Sequence, residues 1–321
     1  MINRRSLIPY TFLLIPILLW IVAAVIHSNS SKKDNARQLE VDIIIQSRDV
    51  AGIISVLEIP NFKKDQRNRN ARAAACAALV KIGTPEATQA LLQSVMHAYQ
   101  RKKAAGTLNV GYGEDFSIMQ HGIRALGQMS DTTAVDTLLF LLVNCSVIDD
   151  DAADALRAMA SPSLVAPLTA VLRDSYLAVR EWKDADHGTS RADTRDYCAD
   201  ILHHVGNSAF NHFQQLLASG HPDDREIATW VLTVHFQKEL LPVAVAQIVQ
   251  RAATDDAVVA GGYRFLYLRG YDRNRLNQVL QNQGTLEMAD FYLSNAPDMH
   301  SSVQAWAKRQ GYAIVERRIG R

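Results

Sequence analysis

The side chains able to do chemistry gather in a few places, and their spacing argues against most reactions. His203, His204, His212 and His221 lie close together in the sequence, just ahead of Asp223 and Asp224. Imidazole and carboxylate are common ligands of zinc, so the group invites a metal reading. Neighbouring residues on a helix point about 100° apart, however, so His203 and His204 do not both face one ion. Surface histidines account for the group, and no metal site is expected. The glycine-rich stretch Gly106–Gly113 lacks the GxxxxGK[ST] order and follows no strand, so it is not read as a phosphate cradle. Asp149–Asp151 stands at a helix start, where carboxylates offset the helix dipole. There is no GxSxG and no nucleophile–base arrangement. The chain reads as a non-enzyme that needs no cofactor.

Three cysteines, Cys76, Cys145 and Cys198, stand far apart and form neither a CxxC pair nor a metal spacing. Cys76 and Cys198 fall on helix faces assigned to the core, where a free thiol acts as a small hydrophobe.

The rest of the composition fits a packed protein. In 321 residues, 48% are apolar and 21% charged, and 34 basic against 33 acidic side chains leave a formal charge of +1. That balance gives no electrostatic reason to expect nucleic acid as a partner. Aromatics make up only 7% and alanine is abundant, which suits closely packed helices.

Four segments align without gaps: Ala77–Ala87, Arg124–Ala134, Asp154–Leu164 and Asp200–Phe210. Each has a leucine (Leu79, Leu126, Leu156, Leu202) followed three residues on by Ile82, Met129, Met159 or Val205, on the same helix face. Two residues later comes a helix N-cap type, Thr84, Asp131, Ser161 or Asn207, with Pro85 and Pro162 at the first helical position. A helix therefore ends, turns and restarts. The second helices carry their own stripes, such as Leu138, Leu139 and Leu142 or Leu164, Leu168 and Leu172. The first helices offer small residues, including Ala75, Ala78, Ala125, Ala152 and Ala155. Neither helix hides its stripe alone; stacking successive pairs does.

Ala71–Val95 resembles the short HEAT repeat of the phycobilisome-lyase type, through its alanine-rich first helix, apolar-Gly turn, Pro-Glu-Ala start and Leu-Leu second helix. The likeness covers residues 69–220 well and fades beyond. Asp223–Arg251, Asp256–Gln281 and Leu286–Gln310 still read as helix pairs, and Leu39–Leu57 reads as a capping pair broken near Ser47-Arg48-Asp49. The expected fold is all-α, a right-handed α-solenoid of HEAT-like helix pairs over residues 39–312, with a basic tail at 313–321. Tetratricopeptide and armadillo arrays fit less well, the first in its period and the second in needing a third helix. The resemblance implies a surface that binds other macromolecules. Some HEAT solenoids are di-iron hydroxylases that ligate metal through His-Glu dipeptides; this sequence has no such dipeptide.

The leucines are spaced by 47, 30 and 46 residues, so two junctions are longer than the third. The first, near Arg101–Phe116, brings Tyr112, Glu114, Asp115 and Phe116; the second, near Arg173–Arg195, brings Tyr176, Arg180, Trp182 and Lys183. Both leave after a second helix and are expected along one edge of the stack, as partner-binding loops. The plainer alternative is that they extend the helices and fold their aromatics back onto the core.

Residues 1–6 are basic, and Leu7–Ile26 is an uncharged run about long enough to span a bilayer as a helix, leading to a polar linker at 27–38. A retained anchor is the preferred reading; a cleaved signal ending near Ser28-Asn29-Ser30 is the alternative. Arg4 and Arg5 favour a cytoplasmic N-terminus and an extracytoplasmic solenoid, while Lys32, Lys33 and Arg37 pull the other way. The functional expectation is a membrane-anchored, single-pass scaffold for an unnamed protein partner in a membrane or envelope assembly. The alternatives are a lyase- or chaperone-like protein acting on a cofactor-bearing client, and a divergent metal-dependent enzyme.

Overall fold

The computed structural model describes residues 42–58, 66–181, 188–236, 238–265, 285–288, 308–309 and 313–315. The chain divides into two compact units, Met1–Leu91 and Leu92–Arg321.

In the first unit, residues 42–46 are helical and the chain turns at Ser47-Arg48. Asp49 then caps α1 (Val50–Leu57), its carboxylate accepting the Ala51 N–H at 3.2 Å. Helix α2 (Gln66–Ile82) packs on α1. Arg72 of α2 is buried and donates its Nε–H to the Leu57 carbonyl at 3.0 Å, satisfying one of the acceptors that a helix end leaves open. After Gly83-Thr84 comes α3 (Pro85–Ala104), within which the boundary between the units falls.

The second unit continues as helix pairs. Helix α4 (Glu114–Met129) leads through a 3₁₀ turn to α5 (Val135–Asn144), and α6 (Asp149–Met159) leads through another to α7 (Val165–Glu181). Helix α8 (Gly188–Val205) is followed by α9 (Asn207–Leu216), α10 (Pro222–Val234) by α11 (Pro242–Ala252), and α12 (Asp256–Gly261) is a short last helix. Among neighbours in sequence, α5 packs on α6, α7 on α8, α8 on α9, α9 on α10 and α11 on α12. First helices pack on first helices, α4 on α6, α6 on α8 and α10 on α12, while α7 packs on α8 and on α9. Leu126, Leu156 and Leu202 are each 0% exposed, as is Leu79 in the first unit. Ile82, Met129, Met159 and Val205 are all half-buried at the rim.

The turns repeat more closely than the sequence does. The fourth residue after each leucine has a positive φ: Gly83 at 60°, Ser130 at 53°, Ala160 at 36° and Gly206 at 75°. A left-handed residue at that point ends a helix and frees the chain to start the next. The following residue caps in three cases: Thr84 accepts from Ala87 N, Asp131 from Thr133 N and Ser161 from Ser163 N. The fourth departs from expectation. Asn207 is already the first residue of α9, Gly206 is the cap, and no side chain caps that helix. Arg48, with φ 59°, followed by Asp49, makes the same turn in the first unit. Because an L-residue pays about 1–2 kcal/mol in the left-handed region, Ala160→Gly is expected to raise stability by about 1 kcal/mol. Thermal denaturation checks it, with Gly206→Ala as the destabilising counterpart.

Within the stretches that the sequence suggests as helix pairs, 256–281 and 286–310, the described residues 263–265 and 286–288 are strands, while most of the remainder lies outside the described residues. Helix α12 stops at Gly261, and three short strands follow: β1 (Tyr263–Phe265), β2 (Thr285–Met288) and β3 (Ala313–Val315). They form a sheet in that order, β1–β2 antiparallel and β2–β3 parallel. Tyr263, Phe265, Ile314 and Val315 are residue types that favour a pleated surface. The described chain is thus mainly helical, with a small sheet at its end.

The expected anchor Leu7–Ile26 lies outside the described residues. Among those described, no helix is long and apolar enough to cross a membrane.

Candidate functional site

The first long junction is a built loop. Helix α3 ends at Ala104, and Lys102 turns its Nζ to donate to the Val110 carbonyl at 2.7 Å. The Lys102 carbonyl accepts from Thr107 N at 2.9 Å and from Thr107 Oγ1 at 3.3 Å, and Val110 N donates to the Thr107 carbonyl. Gly106, with φ 65°, and Gly113, with φ 101°, supply backbone shapes that side-chain-bearing residues resist. Arg101 then ties the last turn of α3 to the first turn of α4, its Nε donating to Asp115 Oδ1 at 2.8 Å. The loop so held presents Tyr112, 78% exposed, beside half-buried Glu114 and Phe116. An exposed tyrosine on a pinned loop suits protein contact, since its large ring orders at little entropic cost.

The second long junction behaves differently. It lengthens two helices, α7 to Glu181 and α8 from Gly188. Tyr176 is therefore not a loop residue. It is 1% exposed, with its ring centroid 5.5 Å from that of Trp230 on α10. Arg180 lies within α7, and Trp182 and Lys183 fall outside the described residues. Of the eight proposed contact residues, the structure brings together Tyr112, Glu114, Asp115 and Phe116 and removes Tyr176 to the core.

Sequence reasoning missed the polar layer beneath that hairpin. The Arg195 guanidinium sits 4.9 Å from the centre of the Trp230 ring, and its Nε donates to Asp196 Oδ1 at 2.9 Å. Ser175, Thr194, Glu226, Thr229 and Thr233 are buried on the same three helices, α7, α8 and α10. The Thr229 and Thr233 hydroxyls both donate back to carbonyls one turn earlier, at 2.7 Å.

Charged side chains join successive pairs. Asp151 accepts from Arg124 Nε at 2.8 Å and from Gln120 Nε2 at 3.1 Å, linking α4 to α6. Arg157 bridges Asp154 and Asp200, linking α6 to α8. Arg173 meets Asp224 at 2.8 Å, and Arg225 meets Asp255 at 2.6 Å just before α12. These pairs are part-buried, Asp151 most of all, so each must offset the cost of taking its charges out of water. Their recurrence fixes the register between neighbours.

The histidines have different polar partners. His203 Nε2 lies 3.0 Å from Glu239 Oε1, whose carboxyl is held below its usual range first by that hydrogen bond. His204 Nδ1 lies 2.8 Å from the Asp200 carbonyl, and His221 Nδ1 is 3.8 Å from Asp223. His212 has a buried Nε2 with no hydrogen-bond partner among the described residues. Burial pushes its pKa below the ordinary 6.5, against a smaller opposing pull from Asp224. The unfolded chain therefore takes up a proton at His212 that the folded chain resists. Stability present above pH 6.5 is lost as the pH falls through that value. His212→Gln is expected to flatten this acid-side decline, as read by denaturant titration on both sides of pH 6.5; an unchanged slope would show that His212 is not its source.

Among the described residues, no group of three or more His, Cys, Asp or Glu side chains is placed to hold a metal ion. All three cysteines are free and buried. Burial raises the Cys76 thiol to about 12 despite nearby Arg72, and also raises Cys145 and Cys198. Such thiols are poor nucleophiles.

No protein-family model and no curated protein matches this chain.

Proposed function

We propose that this chain is a membrane-tethered α-solenoid of HEAT-like hairpins that holds a partner protein, with the loop before α4 as one point of contact. The observation that carries the reading is the recurrent junction in the helices: a buried leucine, a left-handed residue four positions later, then a capping side chain. Units of that kind stabilise one another in a row and leave long surfaces free for other molecules. The contact assigned to Tyr112 rests on its 78% exposure and on the hydrogen bonds that hold its loop. The membrane tether rests on the uncharged run Leu7–Ile26 alone.

The test is crosslinking in intact cells, with mass spectrometry of what is caught by the full chain and by its Tyr112→Ala form. Removing an aromatic anchor costs about 2 kcal/mol or more, so capture of the specific partner is expected to fall by about tenfold or more. The helical content should be unchanged. Identical capture profiles would overturn the role given to the loop. Protease accessibility of the same cells reports which side of the membrane the helices occupy, and release of the protein by carbonate wash would overturn the tether.

A further inference from the structure

Helix α9 is more lightly anchored than α7, α8 and α10, the helices it packs on. Within it only Ala209 and Phe213 are buried, and no side chain caps its start. By contrast, every residue of α10 from Glu226 to Thr233 is buried, and Cys198, Ala199, Ile201 and Leu202 of α8 are each 0% exposed. Elements with few buried apolar side chains are the ones that open locally. Past its last turn, α9 is tied by two guanidiniums: Arg251 donates to the Leu217 carbonyl at 2.8 Å and Arg225 to the Ser219 carbonyl at 3.0 Å.

In the middle of this helix sits His212, with its buried, unpartnered Nε2. Asp224 of α10 is the charged group that acts on the imidazole. Both oxygens of that carboxylate are already taken, Oδ1 by Arg173 of α7 at 2.8 Å and Oδ2 by Ser219 Oγ at 3.0 Å. The other ionic groups on the packed helices have partners elsewhere. On α8, Asp196 pairs with Arg195, Asp200 with Arg157 and His203 with Glu239; on α10, Asp223 lies by His221 and Arg225 meets Asp255. A proton on the buried nitrogen therefore creates a cation with no acceptor of its own, which is costly.

We propose that α9 is an acid-released latch, in which a proton taken up by His212 loosens α9 while α7, α8 and α10 stay packed. In the closed form burial holds the imidazole below its ordinary 6.5, and in the loosened form it returns towards that value. The loosened form takes up the proton first, so the closed form is favoured above about pH 6.5 and loses ground as the pH falls below it. At about pH 5.5 an ordinary imidazole is charged about ten times as often as it is neutral, so the open population rises by up to about tenfold. The neighbouring tie responds in the opposite sense. Protonation of His203 strengthens its pairing with Glu239, 3.0 Å away, and keeps the end of α8 joined to the segment that follows α10.

The test is amide exchange of the full chain in detergent at about pH 7.5 and about pH 5.5, corrected for the intrinsic pH dependence of exchange. Protection over residues 207–219 is expected to fall by about threefold to tenfold at the lower pH, relative to α4 and α6. His203→Gln should leave that fall in place, and His212→Gln should abolish it. Because the second variant alters a part-buried position, the His212 imidazole is also titrated in the unaltered chain by NMR of labelled histidine, with a midpoint expected below 6.5. A midpoint above 6.5 would mean that Asp224 captures the proton and would overturn the latch. So would an absent fall, an equal fall in every hairpin, or a fall that survives His212→Gln.

Discussion

Leu126→Ala and Leu156→Ala each lower stability by about 2–5 kcal/mol, the cost of deleting a fully packed leucine and leaving part of its volume empty. Both side chains are 0% exposed, at the closing end of α4 and α6. The effect is expected to be local. Amide exchange should quicken most in α4–α7, next in α8, and least in α10–α12, because each pair leans mainly on its neighbours. Denaturation and amide exchange on the two variants check both parts. Near-neutral melting would contradict the assignment of these leucines to the repeat core.

The second large effect lies where Gly127 of α4 comes close to Ala155 of α6. A methyl group on Gly127 would stand 2.6 Å from the Ala155 Cα, 2.8 Å from its Cβ and 3.1 Å from its carbonyl oxygen. Two of those three atoms are backbone, so no rotamer change relieves the clash and the helices must part. Gly127→Ala is expected to cost about 1–3 kcal/mol or more through overpacking. Adding Ala155→Gly removes only the Cβ contact and restores part of the loss. A double-mutant cycle measures the coupling. Additive effects would show that the two helices do not touch there.

The parts of the fold legible in the sequence were those set by local rules. The leucine register, the caps at Thr84, Asp131 and Ser161 and the small residues on first helices follow from helical periodicity and end chemistry. The left-handed position was visible as glycine at Gly83 and Gly206, but Ser130 and Ala160 hide the same backbone shape behind unfavourable residue types. Asn207 misled because the residue type that caps also tolerates a helix start. Tyr176 was misplaced although the signal was present. Leu168, Leu172 and Tyr176 are spaced by four, so the α7 stripe runs straight through the point where the helix was expected to end. Trp230 and the polar layer around Arg195 depend on which helices meet across the unit, which no local pattern states. The same holds for the strands, whose pairing joins residues 263–265 to 285–288 and those to 313–315. Of the two long junctions, the one before α4 was readable as a loop from its glycines. The one after α7 was not, because a lengthened helix and a loop insertion add residues alike.

Native-state amide exchange on the full chain in detergent, followed hairpin by hairpin under rising denaturant, puts the row-of-pairs architecture to the most direct test. Opening free energies that step from one hairpin to the next, with α4–α7 and α10–α12 releasing at separate denaturant strengths, are what mutually propped pairs require. A single concerted release of every protected amide in the second unit would mean that those helices share one closed core, and the scaffold reading built on a row would fall with it.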